Sequence, residues 1–258
     1  MNQIITQTIP SLNDMKKYPK KLSYRGDLAL LQRPKVSIVG TRRPSAYTRG
    51  VTHNLAKALS VRGVCVVSGV AMGVDAIAHA GAGESNTIAV VANGIDIRYP
   101  AVNKNLIESI EKKGLVISQF EDGFRATGWS FVVRNEIVVA LGDMLIVTEA
   151  DLKSGSMRSV EFALKMGREI FVLPHRLDES AGTNKLLADG KANAIYNIEE
   201  FASRFGKEAD SDIIKDDFFY FCQKSPTLDE TIEKFGTRVY EAELEGIIVV
   251  EKGIVMLG

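Results

Sequence analysis

From residue 35 onward, short β-branched runs alternate with stretches of helical periodicity, and this alternation restricts the chain to one architecture. The runs VSIV (36–39), VCVVS (64–68), TIAVV (87–91), LVIS (115–118), MLIVTE (144–149), EIFVLP (169–174) and AIYN (194–197) are mostly continuous apolar stretches. That is the pattern of strands buried on both faces. Between them, 47–62, 73–82, 103–113, 129–141, 156–166 and 183–189 repeat apolar residues at helical spacing. Buried strands joined by crossover helices require a mostly parallel sheet covered on both faces. The spacing therefore predicts an extended, doubly wound Rossmann-like α/β domain of seven strands over 30–205. Gly63, Gly114, Gly142 and Gly167 each stand just before a strand, where helix C-terminal glycines are expected.

The flanks read differently. Residues 1–29 form a basic leader, with Lys16 to Lys21 expected to lie solvated. Residues 206–211 read as a polar linker. After it, DDFFYFCQKS, TLDETIEKFG and TRVYEAELEG predict three short helices, the second capped by Thr227 with Glu230 completing a capping box. IIVVEKGIVML predicts a hairpin, so 212–258 reads as a small winged-helix-like module. Its third helix carries Glu241, Glu243 and Glu245 against Arg238, which disfavours DNA contact there and favours a docking role.

The 258 residues hold 32 Lys+Arg and 32 Asp+Glu, a net charge of zero that conceals segregation. Residues 1–49 carry ten basic side chains against Asp14 and Asp27, a net of +8. Residues 50–211 carry −3 and residues 212–258 carry −5. An anionic ligand is thus expected near the first strand and none at the tail. No apolar run approaches the roughly 20 residues that span a bilayer. The start lacks a signal-peptide layout, and two distant cysteines make no disulfide framework. A cytoplasmic protein is expected, with no membrane partner.

In open α/β sheets ligands bind beyond the carboxyl ends of the strands. Four segments fall there: Gly40-Thr41-Arg42-Arg43-Pro44-Ser45, Ser68 to Asp75, Asn93-Gly94-Ile95-Asp96, and Lys153-Ser154-Gly155-Ser156-Met157. Small residues and amide donors at these turns, with two arginines at the first, describe a pocket for phosphate oxygens. The first turn is not a GxGxxG fingerprint, which disfavours a dinucleotide, and no GxxxxGK[ST] is present. Asp75 and His79 stand four apart on one helix, without the further ligands a metal site needs. Ser154 and Ser156 have no evident base, so no catalytic residue, metal or cofactor is expected. Trp129 and Phe131 precede Arg134-Asn135, an arrangement suited either to stacking on bases or to core packing. Arg134-Asn135, at the base of an otherwise apolar helix, reads as a buried polar contact.

At these residues the sequence resembles the DNA-processing protein A (DprA/Smf) family of bacterial transformation proteins. The resemblance rests on VSIVGTRRPSAY, VVSGVAMGVDAIAHAGA, TIAVVANGIDIRYPAVN, FVVRNEIVVALGDMLIVTEADLKSGS and SAGTNKLLADG, in order over roughly 20–205. It implies a non-enzymatic recombination mediator that binds single-stranded DNA, forms homodimers and loads the RecA recombinase on incoming strands. It also implies site residues. Arg42 and Arg43, with Gly40 and Thr41, match the phosphate-binding turn, and Arg43 is the first expected contact. Ser68-Gly69 and Ser154-Gly155-Ser156 match backbone contacts, Phe131 an aromatic against a base, and Arg134, Asn135 and Lys153 supports. Three positions depart from the family pattern. Glu136 follows Arg134-Asn135 where arginine is common, Gly128 replaces a lysine of some relatives, and His175 follows Pro174 where glycine is usual. Arg125 offers a compensating charge. Two other functions remain open at the sequence: a phosphoribohydrolase-like enzyme, although Ser154 to Glu161 retains only Gly155 and Glu161 of its GGxGTxxE motif, and a nucleotide-sensing module.

Overall fold

The structure, a computed structural model, describes residues 3–206, 217–222, 224–244 and 246–257. They form two compact units, 3–206 and 217–257. The first contains β1 (Gln3–Ile4), β2 (Ser23–Gly26), β3 (Lys35–Val39), α1 (Ala46–Ser60), β4 (Cys65–Ser68), α2 (Val74–Ala82), β5 (Thr87–Val90) and α3 (Lys104–Lys113). It continues with β6 (Leu115–Ser118), α4 (Gly128–Leu141), β7 (Met144–Val147), α5 (Gly155–Lys165), β8 (Glu169–Val172), α6 (Ala181–Ala188), β9 (Asn193–Ala194) and α7 (Ile198–Ser203).

The sheet runs β1-β2-β6-β5-β4-β3-β7-β8-β9. β3 to β9 are parallel, as their continuous apolar runs demand, while β1 and β2 add antiparallel pairings at one edge. Alternate residues of one strand feed opposite layers. In β5, Ile88 and Val90 pack with Ile137 to Leu141 of α4, and Ala89 packs with Ile107 and Ile110 of α3. Val36 and Ile38 of β3 meet Leu55 and Leu59 of α1 and Val74 and Ala78 of α2. The order reverses between β3 and β7. This is the switch point at which the carboxyl ends diverge and leave a crevice.

Two expectations need correction. Lys16, Lys17, Lys20 and Lys21 are exposed as expected, but the leader around them is packed: Ile9, Leu12, Met15 and Leu22 are buried in the main core, and Ser23–Gly26 pairs with Leu115–Ser118, so the sheet has nine strands rather than seven. Some leader cations are tied down as well, Lys21 to Glu121 and Arg25 to Glu111, both at 3.2 Å. Nor do all four pre-strand glycines act as left-handed caps. Gly63 and Gly167 have φ of 78° and 66°, but neither Gly114 nor Gly142 has positive φ. Gly142 is there for close approach: a Cβ would overlap Ser37 Oγ, which donates to the Val138 carbonyl at 2.6 Å.

The second unit contains α8 (Asp217–Cys222), α9 (Leu228–Phe235), α10 (Arg238–Leu244), β10 (Ile248–Glu251) and β11 (Ile254–Leu257), the last two an antiparallel hairpin. Thr227 caps α9, and Glu230 completes the box by accepting the Thr227 N–H at 2.9 Å. Phe218, Val239, Ala242, Ile248 and Val255 form its own small core. Of the expected linker, 207–211 lies outside the described residues, as do 212–216 and Glu245.

Candidate nucleic-acid interface

A cavity of about 460 Å³ opens at the switch point. Its walls come from three turns that the sequence separates widely: Gly40, Thr41 and Arg42 after β3, Gly69 and Ala71 after β4, and Ser154, Gly155 and Ser156 at the start of α5. Phe131, Arg134 and Asn135 of α4 close one side.

The β3 turn is held at both ends. Thr41 N–H donates to the Glu149 carbonyl at 2.8 Å, and the Thr41 carbonyl accepts Val74 N–H at 3.1 Å. Gly73, at φ 81°, lets the two turns approach, because a Cβ there would lie 2.5 Å from the Thr41 carbonyl oxygen. Ser45 caps α1 and also donates its N–H and hydroxyl to Glu149, both at 3.0 Å. Burial alone would raise the Glu149 carboxyl, but hydrogen bonds from Thr48 and Ser45 hold it below the ordinary value. So fixed, the turn sets the Arg42 guanidinium 5.4 Å from the centre of the Phe131 ring, with Arg134 on the same ring at 5.9 Å. Phe131 is half-buried in the first turn of α4, whose start is locked by a Thr127–Ser130 capping box. Cations around an aromatic face suit a ligand that offers both phosphate and base.

Beneath the opening lies a buried polar floor. Arg134 is 4% exposed and donates Nη1–H to the Val90 carbonyl at 2.7 Å. Asp75 faces it across Gly69, where a Cβ would collide with both the guanidinium and Asp75 Oδ2. Burial pushes the Asp75 carboxyl up, opposed by Arg134 and by the Ala71 N–H. His79 is fully buried behind this pair: Nε2–H donates to the Gly69 carbonyl, and Nδ1 lies 2.6 Å from the Thr87 hydroxyl. Burial lowers its pKa to about 4, so the ring is neutral at physiological pH. An unfolded histidine protonates near 6.5 and the folded ring only near 4. The unfolded chain therefore binds the extra proton as pH falls through that window, and stability falls with it, by up to about 3 kcal/mol. Asp75, raised in the fold, acts in the opposite sense at the acid end. Chemical denaturation between pH 7 and pH 4 checks this: His79→Gln is expected to flatten the slope, and an unchanged slope would contradict the assignment.

Around the same cavity, Nε of Arg134 and the hydroxyls of Ser154 and Ser159 are buried without a hydrogen-bond partner among the described residues. Buried donors are rarely left unpaired, so these three mark an unusual polar environment behind the cavity wall. The first-turn N–H groups of α5 add a partial positive charge at the same place.

The remaining expected residues are distributed as follows. Arg43 and Lys153 are exposed and stand outside the cavity wall. Ser68 is fully buried and gives its hydroxyl to the Ile38 carbonyl at 2.6 Å, so its side chain does not reach the cavity. Asn135 Nδ2 is 3.5 Å from the Gly155 carbonyl. Glu136 accepts the Lys16 N–H at 3.1 Å, which ties α4 to the N-terminal segment. A Cβ on Gly128 would meet nothing within 4 Å, leaving open space at the rim. Trp129 is 64% exposed, packed edge-on to Phe120 at 6.0 Å, and is not a core residue. Asp75 and Ser159 also wall the cavity without having been expected as contacts, although Asp75 ends one of the four ligand-facing segments. A cap-like position and a mid-helix serine carry no sequence mark of a cavity. Nor was the adjoining hollow of about 40 Å³ expected, where Met72 and Tyr99 meet Arg42 and Phe131.

The family model for DNA recombination-mediator protein A matches residues 5–206. The chain belongs to this family. Among curated relatives, DNA processing protein DprA of Bacillus subtilis is 35% identical over 187 residues, 70% of this chain and 63% of the relative. DprA of Streptococcus pneumoniae is 34% identical over 198 residues, covering 75% and 70%. Protein Smf of Synechocystis is 36% identical over 202 residues, but only half of that protein is covered. The match thus spans about half to two thirds of several DprA/Smf relatives. Two solved DprA structures share the fold. One, from Helicobacter pylori and concerned with its single-stranded DNA binding mode, is 42% identical with a TM-score of 0.77, covering 79% of this chain and 95% of that one. The other, from S. pneumoniae, is 32% identical with a TM-score of 0.73, covering 80% and 75%. No helix among the described residues is long and apolar enough to cross a membrane.

Proposed function

We propose that this DprA-family chain is a single-stranded DNA-binding recombination mediator that protects incoming DNA and loads RecA during natural transformation, acting as a cytoplasmic homodimer without turnover. The observation that carries the DNA-binding part is the switch-point cavity itself. It sets the Arg42 guanidinium over Phe131, with Ser154, Gly155 and Ser156 at the N-terminus of α5 on the same wall. Phosphates meet Arg42 and the α5 turn, and an unstacked base meets Phe131. Duplex DNA, with its bases stacked inward, offers the ring no partner. Of the expected DNA-binding residues, Gly40, Thr41, Arg42, Gly69, Phe131, Arg134, Asn135, Ser154, Gly155 and Ser156 wall this cavity. We assign Arg43 and Lys153 to the rim as longer-range attraction, and Ser68 to the support of the β4 turn.

The phosphoribohydrolase alternative draws less support. Glu161, the acidic residue retained from that motif, pairs with Arg158 at 3.0 Å on the exposed face of α5 and does not line the cavity. Incubating the protein with AMP while following its binding to an oligonucleotide separates the readings. A mediator binds the oligonucleotide, is displaced poorly by AMP and releases no adenine. An enzyme releases adenine, and a nucleotide sensor prefers AMP to DNA.

A further inference from the structure

A separate cavity of about 510 Å³ lies on the other side of the β3 turn, walled by Ser45 and Tyr47 from the start of α1 and by Pro174, His175, Arg176 and Glu179 after β8. None of these residues lines the first cavity. The two are joined by one short turn, since Arg42 walls the first and Ser45 the second. Three residues of chain separate their Cα atoms by at most about 10 Å.

The second cavity is a built site. Tyr47 is 49% exposed, a large aromatic surface left open at the mouth. Its ring meets His175 edge-to-face, with centroids 5.6 Å apart and planes at 88°. His175 is anchored in turn, Nε2–H donating to the Thr148 carbonyl at 2.7 Å. The opposite wall is stapled by Asn184, whose Nδ2 donates to the carbonyls of Arg176 and Glu179, both at 2.9 Å. A wall fixed before the ligand arrives loses little entropy on binding.

Its chemistry differs from that of the first cavity. One guanidinium, Arg176, stands with the carboxylate of Glu179, and the nearby Glu149 carboxylate is already held by Ser45. Such a mixed lining is poor for a phosphate and good for the edge of a base. A carboxylate accepts from an exocyclic amino group, a guanidinium donates to a ring carbonyl, and the tyrosine supplies a stacking face.

We infer that this cavity is a second base-binding subsite for the same single strand. An unstacked base lies on Tyr47 with its edge toward Glu179 and Arg176, and the backbone crosses the Arg42–Arg43 turn to reach the first cavity. The inference rests on the single-stranded DNA reading above. It is tested on the full chain by anisotropy with a dodecamer and by competition with a trinucleotide, which is short enough to be satisfied by the first cavity. Tyr47→Ala is expected to weaken the dodecamer about tenfold, the worth of one base–aromatic stack. The trinucleotide should be unaffected, and Tyr47→Phe should restore the dodecamer. Tyr47 is half exposed, and circular dichroism confirms that the variants fold. Equal affinity of wild type and Tyr47→Ala at both lengths would overturn the subsite, as would an equal loss at both lengths. If the wild-type protein binds neither oligonucleotide, the broader reading falls first and the subsite with it.

Discussion

Arg42→Glu is expected to lower affinity for single-stranded DNA by about 100-fold or more at moderate salt. Removing a charge-assisted hydrogen bond forfeits roughly 1.5–3 kcal/mol, and the new carboxylate repels the phosphate it faces. The substitution also takes the cation off Phe131, so the base loses part of its platform. Arg43→Glu, at a residue exposed outside the wall, is expected to weaken binding less and chiefly to reduce its salt dependence. The turn is fixed by backbone contacts of Thr41, not by the Arg42 side chain, and the fold should survive. Anisotropy titrations of both variants against one oligonucleotide check the order. A folded Arg42→Glu protein of full affinity would remove this residue from the site.

Arg134→Met is expected to show the largest loss of stability, roughly 3–5 kcal/mol by denaturant titration. The change leaves Asp75 buried opposite an apolar side chain, and breaking a buried charge arrangement from one side is strongly destabilising. It also frees the Val90 carbonyl, which accepts from Nη1. The double change Asp75→Asn with Arg134→Met should recover part of that loss, because the stranded charge is then gone. DNA binding should not return with it, since the floor of the cavity has been rebuilt without a cation. A single variant within about 1 kcal/mol of wild type would show that the two groups are not a coupled pair.

The parallel sheet was legible because its strands are buried on both faces and announce themselves as unbroken apolar runs. β1 and β2 were not. Ser-Tyr-Arg-Gly is short and polar, and only its pairing with Leu115–Ser118 makes it a strand. The same tertiary effect reshapes the charge argument. The +8 of residues 1–49 pointed toward the first turn, but Lys21, Arg25 and Lys35 are taken up by Glu121, by Glu111 and by the carbonyls of Leu31 and Arg33. Of those ten cations, Arg42 alone walls the cavity.

Turn glycines and Arg42 marked segments that wall the cavity, since phosphate-capable turns are local in sequence, whereas Arg43 stands outside that wall. The polar floor was less visible. Arg134 was read as a buried polar contact, but its facing group, Asp75, sits where a helix cap is the ordinary reading. The fully buried His79 joins them through the Gly69 carbonyl and the nearby Arg134 charge. Such networks depend on strands meeting in space and leave no spacing rule in the chain.

The central claim is that the switch-point cavity takes phosphate and an unstacked base together. Its most direct measurement is a binding series with single- and double-stranded oligonucleotides of one sequence over a salt gradient. The account predicts a clear preference for the single strand and a linear fall of log affinity with log salt, about 0.7 per phosphate contacted. Equal affinity for both forms, or binding indifferent to salt, would contradict it.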